Sequence, residues 1–113
     1  MDLLEVDSRE VAGWTVVAVR GQLDVATAPR FRQVLVEAQY GGGTDVVVDL
    51  AGVEFLDSMG LGVLVGAIKR ARSHDTQLVL AAANDRVGHV LELSGLAEIT
   101  RIADRVEDVI PSD

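Results

Sequence analysis

The chain contains no cysteine, which excludes disulfides, thiol nucleophiles and thiolate metal sites together. Histidine occurs only at His74 and His89, far apart and without a ligand-type spacing to a carboxylate, so no metal centre and no cofactor is expected. The aromatics are Trp14, Phe31, Tyr40 and Phe55, too few for a base-stacking platform. Positive charge is also scarce: 10 basic against 18 acidic residues give a formal charge of −8. Such a surface repels phosphate backbones, and the one basic cluster (Lys69, Arg70, Arg72) is small and reads as a solvated helix end, so direct nucleic-acid binding is not expected. Every long apolar stretch is interrupted by Asp, Arg or Gly, and none reaches the ~20 residues that cross a bilayer. The opening MDLLEVDSRE is acidic and lacks the basic and apolar regions of a secretory signal. A cytoplasmic protein without membrane attachment is the expectation.

What is present is apolar and patterned. With 113 residues, 49% of them hydrophobic, the chain suits one domain over 1–113. Thr15–Val19, Val46–Leu50 and Gln77–Ala81 are short continuous apolar runs, the pattern of strands buried on both faces. Leu3–Asp7 alternates and reads as an edge strand; Ile99–Ile102 reads as a weak last strand. Helical spacing falls between the runs. Thr27 is placed to cap a first helix with Pro29 in its first turn, and Phe31, Val34, Leu35 and Ala38 recur until Gly41-Gly42-Gly43. A second helix is predicted from Ser58 to about Ser73, a third over about Asp85–Leu93 and a short fourth over Asp104–Val109. The order β-β-α-β-α-β-α-β-α predicts an α/β fold, a mixed and mostly parallel sheet covered by about four helices.

Val46 to Arg72 carries the functional information. On a wheel of ~100° per residue, Leu61, Leu64, Val65 and Ile68 form a core face. The opposite face holds Met59, Val63, Gly66 and Arg70, flanked by Gly62 and Ala67. A surface helix ordinarily carries Glu, Lys and Gln there. Each interior glycine costs ~0.5–1 kcal/mol relative to alanine, so Gly60, Gly62 and Gly66 require a reason. Two are available: a flat apolar strip for a partner, or a face packed against the sheet or the first helix. Ser58 reads as the N-cap of this helix and, beside the strip, as a candidate phosphorylation site. Free N–H groups at the helix start would tolerate the phosphate, while Asp57 and Asp24 would oppose it.

These residues resemble a known family. FLDSMGLGVLV (55–65), following the strand VVVDLAGV, and RGQLDVATAPRF (20–31) are similar to the two motifs of the STAS domain of bacterial anti-sigma factor antagonists. The resemblance runs from about Leu3 to Val109. It implies that the unmodified protein binds an anti-sigma factor serine kinase and so releases a sigma factor. It further implies that the kinase phosphorylates Ser58 to end the contact and that a PP2C-type phosphatase reverses this. Asp24 and Asp57 match the acidic residues near that serine, and Met59 stands where many members have Ser or Thr. The implied partner-binding set is Asp24, Asp57, Met59, Gly60, Gly62, Val63 and Gly66. STAS domains also serve in transporters and sensor assemblies, so a scaffold without a serine switch is the rival reading.

Catalysis is not expected. Ser58 follows a strand and loop, but the G-x-S-x-G of a nucleophile elbow is missing, and His74 and His89 are the only candidate bases. A phospho-receiver would need an acidic pair after the first strand and a Lys near the last; Arg20-Gly21 and a mid-helix Lys69 stand instead, which leaves Asp49 as a structural residue. Gly41-Gly42-Gly43 lacks the Lys-Ser/Thr of a phosphate loop and reads as a turn.

Overall fold

A computed structural model describes residues 4–41 and 45–110. Its sheet has five strands in the order β1-β2-β3-β4-β5: β1 (Leu4–Val11), β2 (Trp14–Leu23), β3 (Asp45–Leu56), β4 (Leu78–Ala81) and β5 (Ile102–Ala103). β1 and β2 form an antiparallel hairpin in which Val11 pairs with Trp14. Its two-residue loop, Ala12-Gly13, has φ of +51° and +85°, the primed class of turn that matches strand twist. The later neighbours are parallel. The expected α/β fold with a mostly parallel sheet is the observed one.

Each parallel step advances one strand in the same direction. Right-handed crossovers then bring α1 (Ala28–Gly41), α2 (Ser58–Ser73) and α3 (Asp85–Leu93) to one face of the sheet. Their buried side chains (Phe31, Leu35, Leu64, Ile68, Val87, Leu91) share one cluster with Val17, Val19, Val46, Val48, Leu50 and Leu80. Val16, Val47 and Val79 turn to the other face, where Val109 and Ile110 cover them. Both faces are therefore occupied around Val46–Val48, which is why that run is continuously apolar.

Several expectations change. The edge strand is longer than expected, and its Leu3 lies outside the described residues, as do Gly42 and Gly43. The last strand is the two-residue β5, which begins three residues later than expected and overlaps the expected Ile99–Ile102 only at Ile102. The fourth helix is absent among the described residues: only Val106–Asp108 forms a 3₁₀ turn. A segment of six residues gains too few hydrogen bonds to repay helix nucleation. It serves instead to lay Val109 and Ile110 on the back of the sheet.

The helical wheel of α2 is rotated from the expected one. Gly60, Leu64, Ala67, Ile68 and Ala71 are buried, while Leu61 and Val65 are half-buried at the margin. α1 packs beside α2 and draws its small residues inward. Gly60 is likewise removed from the outer strip, here against the ends of β2 and β3, contrary to expectation. A Cβ there would lie 2.7 Å from both Leu23 Cβ and Leu23 O, and 2.8 Å from Leu56 Cδ1. Gly62 has open space and Gly66 only an ordinary contact with Arg70 at 3.5 Å. Gly60→Ala should therefore destabilise by ~1–3 kcal/mol through overpacking. Gly62→Ala should stabilise by ~0.5–1 kcal/mol. Urea unfolding of both variants checks the pair; equal midpoints would reject the assigned packing.

Candidate functional site

The two motifs meet at the carboxyl ends of the parallel strands. Two register shifts in the β2–β3 ladder, near Gly21 (φ +114°), bend the end of β2. Beyond them Asp57 N–H donates to Leu23 O at 3.0 Å, so the turn after β2 and the start of α2 are stitched together. The Asp24 carboxylate accepts from the N–H groups of Ala26 (3.0 Å) and Thr27 (3.1 Å). The Thr27 hydroxyl donates to Gln22 O at 2.8 Å and accepts from Asp24 N–H at 3.0 Å. Asp24 is thus first of all the organiser of the turn that feeds α1.

Asp57, not Ser58, caps α2. Its backbone is extended (φ −106°, ψ −173°), and its carboxylate accepts from Met59 N–H at 2.8 Å and Gly60 N–H at 3.2 Å. Ser58 is the first helical residue, and it is exposed. Aspartate and serine are both good caps, so the D-S pair in the sequence is ambiguous by one position. The shift frees the Ser58 hydroxyl from a capping role. It also changes the electrostatics: two N–H groups of the first turn, expected to be free for a phosphate, already bind a carboxylate.

From Ser58 a groove of about 600 Å³ runs between α1 and α2. One wall is α2, with Ser58, Met59, Gly62, Val63, Gly66 and Arg70; the other is Val25, Ala28, Pro29 and Arg32. Met59 is 50% exposed and Val25 67%. Phe55, 45% exposed, adds an apolar side chain close to the same strand end. Of the expected partner-binding residues, Met59, Gly62, Val63 and Gly66 line the groove, Asp24 and Asp57 belong to the turns at its mouth, and Gly60 lies beneath it. The α1 wall is not among the residues that the sequence singles out. Its one signal there is Val25, a large apolar residue in the turn Asp24-Val25-Ala26-Thr27.

The remaining candidates are placed apart from the groove's mouth. Asp49 accepts from Ala51 N–H at 3.0 Å, the structural role expected of it. His74 follows the last residue of α2 and meets the Tyr40 hydroxyl at 3.1 Å, edge-to-face with its ring. His89 is exposed on α3. Arg70, expected at a solvated helix end, is half-buried and bonds through Nε to Gln39 Oε1 at 2.9 Å. Among the described residues no helix is long and apolar enough to cross a membrane.

An exposed serine at the mouth of an apolar groove, on an α/β sheet of this topology, defines a class. The STAS domain model matches residues 5–109, and the chain belongs to the STAS domain family. The anti-sigma-B factor antagonist of Staphylococcus aureus is 35% identical over 91 residues, 80% of this chain and 84% of that protein. The crystal structure of an anti-sigma factor antagonist from Mycobacterium paratuberculosis matches with a TM-score of 0.84 at 25% identity, over 93% of this chain and 89% of that one. The Bacillus cell fate determinant SpoIIAA, in its phosphorylated form, shares the fold at a TM-score of 0.71 and 20% identity, over 93% of this chain and 96% of that one. The family read from residues 20–31 and 55–65 is the family found.

The cap assignment predicts that Asp57→Ala costs ~1 kcal/mol of stability, whereas Ser58→Ala changes it by less than ~0.5 kcal/mol. Chemical denaturation of the two variants reads the difference; the reverse order would restore Ser58 as the cap.

Proposed function

We propose that this protein is an anti-sigma factor antagonist that works as a serine-controlled docking module in the cytoplasm. Unphosphorylated, it binds an anti-sigma factor serine kinase through the α1–α2 groove, and a sigma factor is released. The kinase transfers a phosphoryl group to the Ser58 hydroxyl and the complex separates; a PP2C-type phosphatase regenerates the hydroxyl. One observation carries this reading: Ser58 is exposed, uncommitted to capping and sited where the apolar groove opens. Met59, Gly62, Val63 and Gly66 form the contact surface, with Asp24 and Asp57 at its mouth.

The physics of the switch is local. Phosphorylation adds about −1.5 to −2 charges at pH 7. Asp57 already holds the Met59 and Gly60 N–H groups, so the phosphate meets a neighbouring carboxylate rather than two open donors. A contact that buries this end must desolvate the added charge, which is costly without a pairing cation. The fold itself tolerates the modification because Ser58 supports no buried contact.

Incubation with the cognate kinase and ATP should add one phosphate, located on Ser58 by mass spectrometry. Ser58→Asp should weaken kinase binding about a hundredfold by calorimetry, ~3 kcal/mol, while the melting curve stays near wild type. Met59→Lys, at a half-exposed position, should weaken binding without unfolding the domain. Phosphate at another residue would reject the switch. Loss of binding in Met59→Lys together with unchanged affinity in Ser58→Asp would establish a scaffold that docks without a serine control.

A further inference from the structure

The end of the groove remote from Ser58 is basic. Arg70 is the last groove residue of α2, and Arg32 faces it from α1. Arg70 Nε is engaged by Gln39, which is itself buried and donates to Ala67 O at 2.8 Å. Arg70 Nη2 is buried and has no hydrogen-bond partner among the described residues. A buried donor without an acceptor costs ~1–3 kcal/mol. Burial, and after it the like charge of Arg32, pulls the guanidinium below its ordinary pKa, so this site disfavours the very charge it carries. An anion in the groove, between Arg70 and Arg32, would offset the charge penalty.

We infer that the groove receives an apolar segment of the anti-sigma partner that carries an aspartate or glutamate, and that this carboxylate pairs with Arg70 and Arg32. The inference rests on the docking reading above and adds the chemistry of what docks. Charge complementarity supports it: two guanidinium groups converge on one groove of a chain whose formal charge is −8. Shape supports it as well. Gly62 and Gly66 have room for a methyl group within their own domain, so their bareness serves no packing here and admits close approach from outside. Ser58 and Arg70 are twelve positions apart, roughly 18 Å of helix. A partner helix of about three turns spans that length, apolar side chains over the glycines and the acid at the Arg70 end. Guanidinium–carboxylate pairing is directional and sets the register of such a segment.

A displayed library of 12-residue peptides, panned on the whole folded chain, tests this. The expected winners combine apolar residues with an Asp or Glu. As synthetic peptides they should bind wild type at least about tenfold more tightly than Arg32→Gln or Arg70→Gln. Arg32 is exposed, so its variant separates recognition from any loss of fold caused by releasing Gln39. Winners without acidic residues, or equal affinity for wild type and Arg32→Gln, would overturn the pairing. Peptides that bind through the arginines yet fail to displace the kinase would overturn only the assignment of the groove to that partner.

Discussion

The approach of Gly60 to Leu23 is the contact on which the site depends. With 2.7 Å from an added Cβ to Leu23, no side chain fits between the first turn of α2 and the end of β2. The hydrogen bond from Asp57 N–H to Leu23 O closes the same seam a few residues earlier. Together they set where α2 begins and which of its faces turns inward. Ser58 is left outside the seam and Met59 beside it. A larger residue at 60 would push the helix start away from β2 and displace both motif segments relative to one another. The glycine here is a requirement of the fold, and the serine's availability follows from it.

The three glycines of α2 then separate by cause. Gly60 is explained by packing inside the domain. Gly62 and Gly66 are not, because each has room for a methyl group. Their combined cost is on the order of 1–2 kcal/mol, similar to what a good cap returns. Asp57 supplies that cap at the start of the helix, and the Gln39 link from Arg70 to Ala67 ties its later turns to α1. The helix tolerates a bare outer strip because its two ends are held by other means. Among the described residues nothing packs into the space that a methyl group at Gly62 would fill, in keeping with the docking contact proposed above.

Much of this is legible in the residues themselves. The continuous apolar runs mark β2, β3 and β4, and the expected bounds of α2 and α3 agree with the observed ones to the residue. These elements are long or strongly periodic, and caps and glycines bound them. The rotation of α2 escapes a helical wheel because a wheel ranks side chains by hydrophobicity alone. Alanine and glycine are weakly hydrophobic, yet Gly60, Ala67 and Ala71 are what a closely packed neighbour selects. The position of the cap is hidden for a related reason: Asp57 and Ser58 are equivalent by type, and only the seam with Leu23 decides between them. Arg70 has the sequence signature of a solvated helix end, because nothing local reveals Gln39, thirty-one positions earlier, as its partner. Interactions between near neighbours in the chain are readable; those that join distant segments are not.

The length of the groove would separate the two electrostatic tasks proposed for it. At physiological ionic strength the Debye length is ~8 Å, well under the roughly 18 Å of helix between Ser58 and Arg70. A phosphate on Ser58 is therefore screened from the arginine end and does not neutralise it across solvent. In the proposed mode of docking, register is set at one end and control at the other. A partner held by the arginines alone would keep its position while losing the contact at Met59. Release then requires that most of the binding energy lie in the apolar half, over Met59 and Val63, where desolvating a new charge is most costly. In the proposed switch, one small covalent change would become dissociation because the modified atom borders the part of the surface that has to be dry.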